Sequence, residues 1–352
     1  MLQPVFPTRL RGRAVWRGLL GLLLLALLLA GAWLWRDYRG WTHAPLAGLP
    51  GAATLEVARG SGYAQIVAQL HHAGVPAAGA RERLYWRLLG RELGVANRLH
   101  AGEYALTPGL SPRALLQRMA AGQVVQHHFT IVDGWTFRQL RVALAAEAGL
   151  VQTLPGASDA DIARRLDIDG GKPEGWFLPE TYAWVKGESD YDVLRRAHAA
   201  MRDALARAWA TRSAQVKLAD PYQVLILASI IEKETGLGSE RAQIAGVFLR
   251  RLALDMRLQT DPTVIYGMGE RYDGNIRRRD LETDTPWNTY TRAGLPPTPI
   301  ALPGLPALQA ATHPAPGDEL YFVARGDGSH EFSPTLDAHN RAVRKYQLRR
   351  EP

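Results

Sequence analysis

Cysteine is absent from the 352 residues, and with it go disulfides, thiolate metal sites and a cysteine nucleophile. The absence leaves the compartment undecided, since proteins on either side of a membrane can lack the residue. No glycine-rich phosphate loop, no G-x-S-x-G elbow and no H-E-x-x-H pair occurs, so the usual signatures of phosphate binding, α/β-hydrolases and zinc peptidases are missing. The formal net charge is +8, yet no dense basic cluster interleaved with aromatics accompanies it, which argues against a nucleic-acid partner. His71, His72 and His100, and later His313, His330 and His339, fall at spacings unlike a ligand set, so neither metal nor other cofactor is expected. What is present is ordinary for folded protein: 47% hydrophobic and 22% charged residues, in a length that suits two folded units with appendages.

One long apolar run stands out. Residues 18–35 carry no charge, are rich in leucine and are bounded by Arg17 and Arg36. At 1.5 Å per residue they would make about 27 Å of helix, enough to cross a hydrocarbon layer. Arg9, Arg11, Arg13 and Arg17 precede the run with no acidic residue among them, whereas Asp37 partly offsets Arg36 and Arg39. The positive-inside rule then leaves the N-terminus in the cytoplasm and the rest of the chain outside. A cleaved signal peptide is the competing reading, because Ala30-Gly31-Ala32 has the form of a cleavage site. The run continues through Trp33 and Trp35, residues suited to a membrane interface, and the single-pass anchor is preferred.

The expected organisation is a basic tail over 1–17, the anchor over 18–35, a Pro- and Gly-containing spacer over 36–53, a small mixed module over 54–123 and a larger domain over 124–352. In the module, strand-like alternation at Leu55-Glu56-Val57 precedes helical spacing of Ile66, Val67 and Leu70, a second helical stretch over 82–93, a strand over 102–106 and a helix capped by Ser111-Pro112. It is expected to bind or position. In the larger domain a strand over 124–132 leads to a turn at Asp133-Gly134 and a helix from Thr136, and long helices are expected over 190–210 and 221–235. The last hundred residues, with one clear strand over 320–324, read as loop-rich, making the fold class α+β.

Chemistry is expected at the end of the helix that Asp220-Pro221 begins. It is apolar all round and therefore buried, and Glu232 follows Ala228 by four residues and Val224 by eight. That places its carboxyl on an apolar stripe, a setting that disfavours the charged form and suits a general acid. Taken alone, a glutamate there is structural more often than catalytic. Glu234 faces away from Glu232, and pairing with Lys233, Arg241 or solvent and a place in the site are equally open to it. The groups that could converge on a sugar cleft are Gln259, Thr260, Asp261, Tyr266, Asn288 and Tyr290, with Trp176, Phe177, Glu180 and Tyr182 offering aromatic faces and a carboxylate. Loop caps and core packing are the plainer account of the same residues.

Read together, these segments resemble a known family. The run Leu227-Ala228-Ser229-Ile230-Ile231-Glu232-Lys233-Glu234-Thr235, then Leu258-Gln259-Thr260-Asp261-Pro262-Thr263-Val264-Ile265-Tyr266-Gly267, resembles the endolytic murein transglycosylases of the YceG-like (MltG) family. Further matches are Glu174 to Tyr182 ahead of these runs, and Asn288-Thr289-Tyr290, Gly294-Leu295-Pro296-Pro297, His313-Pro314, Tyr321-Phe322-Val323-Ala324 and His339-Asn340 after them. The resemblance implies a LysM-like subdomain after the anchor, Glu232 as the catalytic residue, and cleavage of nascent peptidoglycan strands in the cell envelope to give 1,6-anhydro ends and so terminate elongation. It also implies glycan strands, the cytoplasmic membrane and peptidoglycan synthases as partners. Asp133-Gly134 departs from the family's usual Glu-Gly, and Trp287 from a smaller aromatic. Two rivals stay open: a peptidoglycan hydrolase, in which Asp261 or Glu180 supplies a second carboxylate, and a tethered peptidoglycan-binding protein without catalysis.

Overall fold

A computed structural model describes residues 11–48, 53–75 and 78–348, with side chains from residue 16 onward. Arg9 and residues 49–52 of the expected spacer lie outside the described residues. The chain divides into two compact units, Met1–Gln126 and His127–Pro352.

The first unit opens with α1 (Arg11–His43), a helix long and apolar enough to cross a membrane. Its leucines between residues 19 and 29 are exposed. The helix corrects the expected spacer, for it runs on past Arg36 instead of stopping there. Packing explains the extension: Tyr38 and Thr42 are buried, Trp41 meets Trp86 edge-on at 5.2 Å, and Asp37 accepts the Tyr85 hydroxyl at 2.7 Å and pairs with Arg81 at 3.1 Å. These contacts offset the roughly 1 kcal/mol that Gly40 costs a helix interior. Then follow β1 (Ala53–Val57), α2 (Tyr63–His72), α3 (Ala80–Glu92), β2 (Gly102–Leu106) and α4 (Pro112–Ala120). The two strands pair antiparallel with Leu55 opposite Tyr104, and their inward residues Leu55, Val57, Tyr104 and Leu106 share a core with Trp86, Leu89 and Leu115.

The second unit contains β3 (His127–Thr130), α5 (Phe137–Ala146), α6 (Asp159–Arg165), β4 (Thr181–Trp184), α7 (Asp190–Ala210), α8 (Pro221–Glu234), α9 (Arg241–Ala253), α10 (Asp261–Met268), α11 (Arg278–Glu282), α12 (Leu305–Thr312), β5 (Tyr321–Ala324), β6 (His330–Ser333) and α13 (Leu336–Tyr346). Strands β3 and β4 pair antiparallel, as do β5 and β6. The mixture is α+β. The strand expected over 124–132 shrinks to β3, and the loop-rich C-terminal region holds three further substantial helices and a second strand.

The core is built on α8. Asp220 caps it by accepting the Gln223 N–H at 2.9 Å, Pro221 fills the first turn, and every residue from 224 to 231 is buried. Around it pack α7, α9 and α12. A side chain buried this way contributes about 2 kcal/mol, so the helix axis is fixed by its apolar residues. Ser229, midway along, donates to the Ile226 carbonyl at 2.7 Å and accepts the Ile300 N–H at 3.0 Å. The charged residues Glu232, Lys233 and Glu234 are left at the helix end, held in place by a rigid body.

Candidate active site

Those three residues leave the helix in different directions, and each enters a different setting. Glu232 has a side chain only 5% exposed, but its neighbours are polar. Oε2 accepts the Gly304 N–H at 3.0 Å and Oε1 lies 3.4 Å from Arg241 Nη2. The apolar stripe expected around this carboxyl is therefore replaced by a cation and a backbone donor, because α9 and the loop before α12 close over the helix end. Asp133 is the next carboxyl: a Cβ on Gly304 would stand 2.3 Å from Asp133 Oδ1 and 3.5 Å from Glu232 Oε2. A side chain at 304 would have to push the Asp133 carboxyl aside. Burial pushes the Asp133 carboxyl up, with Arg241 opposing and Glu180 reinforcing the shift.

Lys233 turns the other way and donates to the Gly134 carbonyl at 3.2 Å. It borders a cleft of about 720 Å³ lined by Thr136, Glu174, Tyr266, Trp287 and Ile300. Buried Glu174 accepts the Phe137 N–H at 2.9 Å and the Tyr266 hydroxyl at 3.1 Å. Burial pushes it up to about 7 against those two hydrogen bonds. Tyr266 in turn meets Trp287 edge-on at 5.5 Å, and the indole N–H donates to Thr298 at 2.8 Å. Two rings and a carboxyl thus form one wall.

Glu234 borders a second cleft, of about 520 Å³, together with Arg251, Gln259, Thr260, Asp261, Tyr290 and Tyr321. It pairs with neither Lys233 nor Arg241 but accepts the hydroxyl of buried Thr260. Burial pushes its carboxyl up to about 7; Thr260 and His330 oppose this, and Asp261 adds to it. A carboxyl with that value holds its proton near neutral pH and can also lose it, which is what acid-base catalysis on an ether oxygen requires. Tyr290 donates to Asp261 at 2.6 Å, and Gln259 accepts Arg251 Nη2 at 2.6 Å. Gln259 also adopts φ 51°, a left-handed conformation uncommon outside glycine and frequent at binding sites.

Five of the sequence-derived candidates (Glu234, Gln259, Thr260, Asp261 and Tyr290) therefore meet in one cleft, and Tyr266 stands in the other. The remaining ones do not meet there. Phe177 is fully buried and stacks on Phe137 at 5.1 Å, so it offers no face to a ligand. Asn288 is 1% exposed and uses its amide to clamp the carbonyls of Asp280, Leu281 and Thr283 while accepting the Tyr290 N–H. Trp176 stacks on Tyr222 at 5.8 Å, and Tyr182 donates to the Leu178 carbonyl at 2.7 Å. Glu180 is exposed and reaches Asp133 by charge alone. The sequence pointed to no site role for Glu174, Arg251 or Gly304, and to Arg241 only as a partner of Glu234. Asp133 had a signal as a departure from the family pattern, and Glu174 stood in a run that resembles the family's, whereas Arg251 and Gly304 had none. Among the described residues no three His, Asp or Glu side chains gather as a metal site.

Comparison with known proteins agrees with the spacing of the motifs. The model of the YceG-like family matches residues 55–345. A protein of Bacillus subtilis named endolytic murein transglycosylase is 31% identical over 268 residues, covering 71% of this chain and 74% of the relative. One of the same name from Streptococcus pneumoniae is 27% identical, covering 92% of this chain and 64% of that longer protein. A crystal structure described as a YceG-like protein of Listeria monocytogenes covers 82% of this chain and 98% of its own at 29% identity, with a TM-score of 0.49.

Proposed function

The chain belongs to the YceG-like family, and from that premise we propose that it is a membrane-anchored, endolytic lytic transglycosylase of peptidoglycan with Glu234 as its acid and base. The observation that carries the choice of residue is the Glu234 carboxyl, pushed up to about 7 in a polar cleft beside Thr260 and Asp261. Glu232, the first glutamate of the run, is the alternative acid; its hydrogen bond to Gly304 and its ion pair with Arg241 suit a brace for the surrounding loops better.

In this reading, protonated Glu234 delivers its proton to the glycosidic oxygen between N-acetylmuramic acid and N-acetylglucosamine. The C1–O bond breaks, the glucosamine leaves with a 4-hydroxyl, and positive charge develops at the muramyl anomeric centre. The muramyl 6-hydroxyl then attacks C1 and returns its proton to the Glu234 carboxylate. A 1,6-anhydro end forms and the enzyme is restored without consuming water. Cutting nascent strands in this way limits their length, which makes glycan synthases the natural neighbours. The apolar α1 fits a single-pass anchor in the cytoplasmic membrane, and the arginine-rich start puts the enzyme on its outer face. The first unit serves as a LysM-like glycan-positioning module.

A hydrolase is the second reading, favoured by one observation: the Asp261 carboxylate lines the same cleft as Glu234 and could activate water.

The test is a pair of substitutions in the full-length protein acting on purified glycan strands. Glu234→Gln is expected to reduce strand shortening by about a hundredfold to ten-thousandfold, the usual cost of losing a positioned acid-base group. Glu232→Gln should retain measurable cleavage. The reverse pattern transfers the acid role to Glu232, and a wild-type protein that binds strands without shortening them supports the non-catalytic reading.

A further inference from the structure

The cleft beside Glu234 contains groups that acid-base catalysis does not use. Arg251 is only 7% exposed yet lines the cleft, and among the described residues no carboxylate pairs with it. Its Nη2 donates to Gln259, while its Nε is buried without a hydrogen-bond partner. The guanidinium lies over the Tyr321 ring at 5.4 Å, and the His339 ring stacks on Tyr321 at 5.3 Å. His339 lines the same cleft, and its Nδ1 is likewise buried and unpartnered. Burial and the adjacent Arg251 charge hold His339 below the usual imidazole range, so it is neutral at neutral pH and its unpartnered nitrogen is free to carry a donated proton. Burial also pulls Arg251 below its ordinary value.

A buried, unpaired guanidinium is costly in the free protein, and a ligand anion that neutralises it recovers that cost. Two carboxyls share the cleft with it. Glu234 bonds to Thr260 and Asp261 to Tyr290, so both are engaged away from the arginine.

We propose that Arg251 and His339 form a carboxylate-binding subsite that recognises the acidic substituent of the muramyl residue. The proposal rests on the reading of this cleft as the glycan site. A muramyl residue differs from N-acetylglucosamine by a lactyl ether, whose carboxyl is either free or amide-linked to a peptide with carboxylates of its own. An arginine that accepts only the acidic sugar tells the two alternating sugars apart, and so fixes which glycosidic bond faces Glu234. Planar, forked donation is what makes arginine suited to that choice.

The test uses the disaccharide N-acetylglucosaminyl-N-acetylmuramic acid, which lacks the bond to be cut, so binding is read independently of catalysis. Three forms are titrated by NMR into the full-length protein in detergent micelles: the free lactyl acid, the form bearing a stem tripeptide, and the lactyl carboxamide. At least one acidic form should bind about tenfold or more tightly than the carboxamide, and Arg251→Met should remove that preference, as loss of a buried charge-assisted contact does. Preference for the free acid alone identifies the lactyl group as the ligand, and preference for the tripeptide form alone identifies the stem. Equal binding of all three forms by the wild type overturns the proposal even if Arg251→Met fails to fold, as does a preference that survives the substitution. Failure of the transglycosylase reading would appear separately, as absence of strand cleavage with the carboxylate preference intact.

Discussion

A carboxyl that keeps its proton near neutral pH stabilises the fold only while the proton stays on. Glu174 is raised by burial from 4.5 to about 7, so the folded protein binds that proton more tightly than the unfolded chain does. The resulting stabilisation is complete below about 4.5 and is lost as pH rises to about 7. Glu174→Gln cannot ionise and should escape the loss. The stability of the wild type relative to the variant is therefore expected to fall between pH 5 and pH 8, by up to about 3 kcal/mol at 1.36 kcal/mol per unit. Urea unfolding at both pH values measures it, and a pH-independent difference would contradict the assignment. The sequence does not reveal this behaviour, because Glu174 is buried only in the folded unit, where Phe137 and Tyr266 reach it from distant segments with hydrogen bonds that oppose the shift. For the same reason Phe177 and Asn288 were open to misreading: an aromatic beside a carboxylate and an amide beside a tyrosine look alike whether they face a ligand or a core.

At the scale of elements, legibility followed local punctuation. Asp220-Pro221 marks a helix start by capping, and α8 begins where that signal places it, while α7 spans the expected 190–210. Strands β4 and β6 have four residues each and exist because β3 and β5 lie alongside, which no local pattern announces. The α12 segment carries a proline in its first turn and is short; it becomes a helix by packing on α8. Since α8 supports both clefts, its packing should dominate stability. Leu227 has no exposed surface, and Leu227→Ala is expected to cost about 2–5 kcal/mol, whereas Asp220→Ala, which removes only the cap, should cost about 1 kcal/mol. Chemical denaturation orders the two; equal effects would mean that packing around α8 is not what sets its place.

The whole molecule joins a helix long and apolar enough to cross a membrane, a small strand-helix unit and a larger unit with two clefts at the end of one buried helix. The anchor was legible as an uncharged run, but its continuation to His43 was not, since it depends on Tyr38, Trp41 and Thr42 finding a surface to bury against. That continuity makes the apolar helix part of the first unit, with no flexible spacer up to His43. The proposed reaction rests on the family assignment, and its central claim is that the muramyl 6-hydroxyl and not water attacks the anomeric carbon. Digestion of purified glycan strands in ¹⁸O-labelled water, followed by mass spectrometry of the new muramyl ends, tests it directly. Unlabelled 1,6-anhydro ends, one water lighter than reducing ends and inert to borohydride, are the predicted product. Reducing ends carrying the label as the main product would contradict the claim and assign Asp261 the task of activating water.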